Sequence, residues 1–187
     1  MIDLVVAGGG PVGLMTAVRA RLSGLEVAVV EQRPGPIDKA CGEGLMPDAL
    51  SRLRAVGVDP IGQDFHGIRY ISKGRVAQAR FRSGPGRGVR RLALHAALQE
   101  RALELGVEIV TGRVSAICQG NGWIEAGGIR ARYLVGADGL HSNVRRLLGL
   151  GEITSGAQRF GIRQHFGVRP WSDLVEVYWL EDSEIYV

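Results

Sequence analysis

MIDLVVAGGGPVGLMTAVRARLSGLEVAVVEQR, residues 1 to 33, passes from an apolar strand through a glycine turn and a helix to a second strand that ends in an acid. Ile2 to Ala7 is an apolar run of strand length, and Gly8, Gly10 and Gly13 follow at the GxGxxG spacing, with Pro11 and Val12 between them. Val12 to Leu22 then reads as a helix and Val27 to Val30 as a strand. The three glycines serve different ends. The first permits the tight turn, the second lets backbone N–H groups approach a pyrophosphate, and the third brings helix and strand close. The helix N-terminus adds partial positive charge. Glu31 stands 18 positions after Gly13, near the roughly 20 at which an acid meets a ribose hydroxyl. The stretch is a dinucleotide-binding βαβ unit.

Glycine makes up 28 of the 187 residues, about twice the usual share of about 7%, so the spacing alone carries little weight. A strand before it, a helix after it and an acid at the right distance are three separate conditions, and an ordinary glycine turn needs none of them.

The length accommodates one well-buried domain and part of another, and 45% apolar with 22% charged residues is a globular composition. A net charge of +4 rests on 23 basic residues against 19 acidic ones, with Lys39 and Lys73 as the lysines. The clusters Arg87 to Arg91 and Arg145–Arg146 are short and lack interleaved aromatics, so they read as solvated faces rather than a nucleic-acid surface. Cys41 and Cys118 have neither metal-ligand spacing nor the density of a disulfide framework, which favours a reducing compartment. The N-terminus carries Asp3 in place of a basic region, and its apolar run is broken by glycines and Pro11. Neither a signal peptide nor a membrane span is expected, and the expected location is the cytoplasm. The histidines His66, His95, His141 and His165 are scattered and suggest no catalytic partner.

Beyond Glu31 lies the turn-rich loop QRPGPIDKACGEGLMP, long enough to expect a functional role. Met46 to Val56 reads as a helix, and Gly67 to Ser72 and Val76 to Phe81 as a hairpin turning at Lys73–Gly74. SGPGRG, residues 83 to 88, reads as a flexible return, and Leu92 to Leu105 as a helix. Strands are expected at Val107 to Val110, Val114 to Cys118, Gly122 to Glu125 and Ile129 to Val135. Three more, at Arg159 to Val168, Leu174 to Leu180 and Ile185 to Val187, are expected to form an antiparallel second sheet. The division that follows is residues 1–64 and 84–157 against 65–83 and 158–187.

A second motif, GADGLHSNVR at 136 to 145, places Asp138 and Gly139 at a strand end before a helix that Ser142 can cap. By itself it is also an ordinary strand-to-helix turn. With GGGPVG at 8–13, EQR at 31–33, KACGEGLMP at 39–47 and RLALHAAL at 91–98, the chain resembles the FAD-dependent monooxygenase superfamily of aromatic hydroxylases, with features of the geranylgeranyl-reductase-like branch. The resemblance implies an α/β fold: a Rossmann-like FAD-binding domain with a mixed sheet, plus part of an antiparallel substrate domain. It implies that Gly8, Gly10, Pro11, Val12 and Gly13 hold the FAD pyrophosphate, Glu31 the adenosine ribose, and Gln32 and Arg33 the adenosine side. Lys39 stands where relatives often have an arginine, keeping charge but losing the bidentate fork. Gly42 follows Cys41 in the same loop. Arg91 is implied to reach the phosphate and ribityl region, Asp138 and Gly139 to serve FAD and transient NAD(P)H, and Val114 to touch adenine through its backbone.

The activity implied is NAD(P)H-driven oxygenation of a small organic substrate. The alternatives are reduction of a carbon–carbon double bond and a non-catalytic FAD-binding module. A plain NAD-dependent dehydrogenase needs neither the GADG turn nor the strand-rich excursion at 65–82. Cys41 reads either as a small buried apolar residue or as a group near the flavin, as in the reductase branch. The family's downstream Gly-Asp pair has no counterpart in this sequence. The expectation is therefore an N-terminal portion of a longer protein, or one completed by a partner chain, with weak or absent FAD retention in isolation.

Overall fold

The computed structural model describes residues 1–151 and 159–187. In chain order the elements are β1 (Ile2–Ala7), α1 (Pro11–Leu22), β2 (Val27–Glu31), β3 (Gly44–Leu45), α2 (Pro47–Arg54), β4 (Gln63–Phe65), β5 (Gly67–Ser72), β6 (Arg75–Arg80) and β7 (Gly86–Gly88). They continue with α3 (Arg91–Glu104), β8 (Glu108–Thr111), β9 (Ile117–Gly120), β10 (Trp123–Ala126), β11 (Ile129–Gly136), α4 (Asn143–Leu147), β12 (Val175–Trp179) and β13 (Glu184–Tyr186). They group into two compact units, Met1–Asp38 with Leu94–Arg159, and Lys39–Ala93 with Phe160–Val187. The sequence boundary at 157/158 lies outside the described residues.

The first unit is built on a six-stranded sheet in the order β8-β2-β1-β11-β10-β9. The first four strands are parallel and β11-β10-β9 form an antiparallel meander, so the mixed sheet expected from the sequence is present. Every residue of β2 is buried, as a strand covered on both faces requires. One face packs Val5, Ala7, Val30, Ala126, Ala131 and Val144 together. On α1 the buried residues are Gly13, Leu14, Ala17 and Val18, a stripe at helical spacing in which Gly13 and Ala17 let the helix lie close to the sheet. Each fully buried valine of β1 and β2 contributes on the order of 1.5–2 kcal/mol through removal of apolar area from water.

The second unit holds a four-stranded sheet, β13-β12-β5-β6, and a three-stranded one, β3-β7-β4. The β5–β6 hairpin turns at Lys73 and Gly74, both at positive φ, the requirement of a tight two-residue turn whose twist matches the strands.

Four expectations are corrected here. The second sheet is not antiparallel throughout: β12 runs parallel to β5, with Val175 opposite Ile68. A parallel pair needs a long crossover, and residues 73–174 supply it. Residues 159–168 form no strand, although Phe160, Ile162, Phe166 and Val168 alternate and are exposed; alternation defines a face, but a strand also needs a neighbouring backbone to pair with. SGPGRG contains β7, the middle strand of its sheet, which glycines conceal because they carry no hydropathy pattern. The strand expected from Val114 begins at Ile117, where pairing with Ala126 of β10 starts, because a strand exists only where a neighbouring backbone pairs with it.

Candidate functional site

β1 and β11 are parallel neighbours with Ala7 opposite Gly136, so the glycine turn and the GADG turn emerge side by side at the carboxyl ends of their strands, where open α/β sheets bind ligands. Ala137 N–H donates to the Ala7 carbonyl at 2.7 Å. Gly8 has φ +105°, and a Cβ there would stand 2.4 Å from the Ala137 carbonyl oxygen. A Cβ on Gly13 would stand 1.8 Å from the Gly8 oxygen. Only glycine fits either position. The N-terminus of α1 has Gly10 as N-cap, no side-chain cap and no acid in its first turn. Its N–H groups and dipole therefore suit an anion brought to the turn.

Glu31 closes β2 and is 8% exposed. Its carboxylate accepts from Gly9 N–H at 2.7 Å, and from the Arg33 backbone N–H at 3.0 Å and Nε at 3.2 Å. Burial alone would raise its pKa; the Gly9 and Arg33 hydrogen bonds and the Arg33 charge outweigh this and hold it below the ordinary value. Glu31, Arg33, Gly9, His95, Gln99 and Thr111 line a cleft of about 270 Å³. The acid that closes β2 thus stands ready-charged beside the glycine turn. His95 is the residue that sequence reading missed in this cleft: it is 2% exposed and donates from Nε2 to the Gly9 carbonyl at 2.8 Å.

Asp138 Oδ2 accepts from Val144 N–H and Ser142 Oγ accepts from Arg145 N–H, both at 3.0 Å, so α4 is capped twice. Burial pushes the Asp138 pKa up, but the Ser142 hydroxyl and the backbone N–H groups of the turn bring it below the usual aspartate range. Its Oδ1 is buried with no hydrogen-bond partner. An unsatisfied carboxylate oxygen beside the glycine turn fits a hydroxyl-bearing ligand. Asp138→Ala is expected to lower stability by about 1 kcal/mol through the lost cap, measured as the shift of the urea midpoint.

In the second unit, the KACGEG loop carries a group the sequence did not single out. Glu43 sits at φ +51°, and its carboxylate accepts from Arg91 N–H at 2.7 Å, Arg163 Nη1 at 2.8 Å and His165 Nε2 at 2.6 Å. Its own carbonyl accepts from Val89 N–H. A left-handed non-glycine residue costs on the order of 1–2 kcal/mol, and these bonds hold it there. Burial raises the Glu43 pKa, while His165, the Arg91 N–H and Arg163 lower it by more. The only sequence clue was its place in a long loop. Arg91 opens α3, and its Nε is buried without a hydrogen-bond partner.

Gln32, Lys39, Cys41 and Gly42 are exposed. The buried reading of Cys41 is therefore overturned: it is a free, exposed thiol, since the surrounding loop lies on the surface. The Val114 side chain packs in the sheet core and does not line the Glu31 cleft. Arg87, expected on a solvated face, is 15% exposed and ion-paired with Asp59 and Asp64.

The family model described as FAD binding domain matches residues 1–66 and 95–184. The chain belongs to the FAD binding domain family. It is 32% identical over 171 residues to the rifampicin monooxygenase of Streptomyces venezuelae, covering 80% of this chain and 34% of that protein. It is 30% identical over 167 residues to the menaquinone reductase of Mycolicibacterium smegmatis, covering 79% and 40% respectively. Among solved structures, the OxyS anhydrotetracycline hydroxylase from Streptomyces rimosus superposes with a TM-score of 0.69 at 30% identity, covering 79% of this chain and 34% of that one. The chain thus spans about a third of the length of the rifampicin monooxygenase and of OxyS. FAD is the cofactor of the FAD binding domain family, and the cradle at Gly8 and Gly13, the carboxylate of Glu31 and the unsatisfied oxygen of Asp138 fit it.

Proposed function

We propose that this chain is the FAD-binding portion of an NAD(P)H-dependent flavoprotein monooxygenase that hydroxylates a small organic substrate. The observation that carries the reading is the pairing of two motifs at adjacent strand ends, the glycine turn after β1 and the GADG turn after β11; similarity to a rifampicin monooxygenase supports the hydroxylating chemistry. When bound, FAD supplies the redox chemistry, accepting reducing equivalents from NAD(P)H and activating oxygen. The chain's own part is binding and orientation. Gly8, Gly10 and Gly13, with Pro11 and Val12, bring backbone N–H groups and the α1 N-terminus to the pyrophosphate, and Glu31 takes the ribose. Gln32 and Arg33 serve the adenosine side, and Asp138 and Gly139 serve FAD and the transient NAD(P)H. Arg91 and Lys39 supply positive charge for the phosphates, and Val114 offers its backbone to adenine.

Residues 65–83 and 158–187 are assigned to the substrate-binding part. No described helix is long and apolar enough to cross a membrane, and two free exposed cysteines suit a reducing cytoplasm. A second reading is a flavin-dependent reductase of carbon–carbon double bonds: similarity to a menaquinone reductase supports reductase chemistry, and the exposed Cys41 in the KACGEG loop supports the double-bond form of it. Anaerobic mixing of the protein with FAD and NADPH separates them. Bleaching of the flavin absorbance followed by substrate-dependent oxygen uptake supports the hydroxylase; bleaching reversed by an alkene-bearing substrate, with its carbon–carbon double bond saturated and no oxygen uptake, supports the reductase. No bleaching at all would sink both.

A further inference from the structure

The second glycine of the GGG run, Gly9, is held from both sides. Its N–H donates to Glu31 Oε2 and its carbonyl accepts from His95 Nε2. A carbonyl only accepts, so Nε2 carries the proton. In a trans peptide the carbonyl and the following N–H point in opposite directions. Pinning the Gly9 carbonyl on the His95 side therefore directs the Gly10 N–H, at the N-cap of α1, the other way. Between two glycines little steric preference resists rotation of this peptide. A rotated peptide would present an oxygen where an anion needs a hydrogen.

The position also explains the residue type. His95 lies with Leu98 and Ala102 on the buried stripe of α3, where leucine would pack without the cost of burying a polar ring. The imidazole is matched instead to a carbonyl 86 residues away in sequence.

We infer that His95 is a positioning residue for the pyrophosphate: it holds the Gly9–Gly10 peptide with its N–H available to the anion. This rests on the reading of the turn as the FAD cradle. The test compares wild type with His95→Leu and His95→Gln, whose amide N–H can replace the imidazole donor. Each is titrated with ADP and with adenosine by NMR, following the Gly10 amide. His95→Leu is expected to weaken ADP about tenfold, the scale of one lost orienting hydrogen bond, while adenosine, which lacks phosphate, changes by less than about twofold. The Gln variant recovers most of the ADP affinity. Unchanged ADP binding by the Leu variant overturns the proposal, as does an equal loss of ADP and adenosine, which would mark a purely structural role. A wild type that binds neither ADP nor FAD overturns the cofactor reading itself and the inference with it, a result visible without any variant.

Discussion

Gly13→Ala is expected to abolish FAD binding and to lower folding stability by on the order of 3–5 kcal/mol. The sign is what makes the test sharp. Within a helix, alanine for glycine ordinarily gains about 1 kcal/mol, and α1 is a regular helix at this position. Here, however, the new Cβ would meet the Gly8 carbonyl oxygen at 1.8 Å and Val6 Cγ1 at 3.3 Å. The first of these is backbone, held in turn by Gly8 N–H donating to the Val30 carbonyl at 2.8 Å, and no side-chain rotation relieves it. Helix α1 must lift from β1, loosening Leu14, Ala17 and Val18, each 1% exposed or less, and moving its N-terminus off the turn. Urea denaturation and ADP titration read the two effects. An alanine variant with an unchanged or raised midpoint would show that helix and turn are not in this close contact.

Glu31→Gln is expected to cost about 2–3 kcal/mol and to weaken FAD by at least tenfold. The carboxylate receives three N–H donors. Glutamine offers a single acceptor oxygen, and its amide N–H group must then face one of those donors in a nearly dry site. Because the carboxylate is held below its ordinary value of 4.5, the stabilisation is fully present above that value and is lost as pH falls through the lowered folded-state pKa. Wild type and variant therefore differ most near neutral pH and converge in acid. Parallel thermal melts across the acid range check this; a stability gap independent of pH would show that the charge on Glu31 is not what matters.

How far the site was legible in the sequence follows from how local each signal is. Gly8, Gly10, Gly13 and Glu31 belong to one βαβ unit, where a strand run, a helical stripe and a fixed spacing lie within 33 residues. Asp138 and Ser142 announced themselves as a strand end and a cap, and both cap α4. Glu43 was not legible because its partners, Arg91, Arg163 and His165, lie 48 to 122 residues away in sequence. His95 read as one of four scattered histidines, and only its reach to Gly9 distinguishes it.

From the sequence alone follow the dinucleotide-binding βαβ unit, the GxGxxG glycines of its turn, and the acid that closes its second strand. These depend on short-range periodicity and steric rules that operate between near neighbours. Tertiary structure decided that the GADG turn stands against Gly8, that His95 pins the Gly9 peptide, that β12 pairs parallel with β5, and that 159–168 stays unpaired. Those outcomes depend on which distant backbone groups find each other, and no local pattern of side chains encodes that choice.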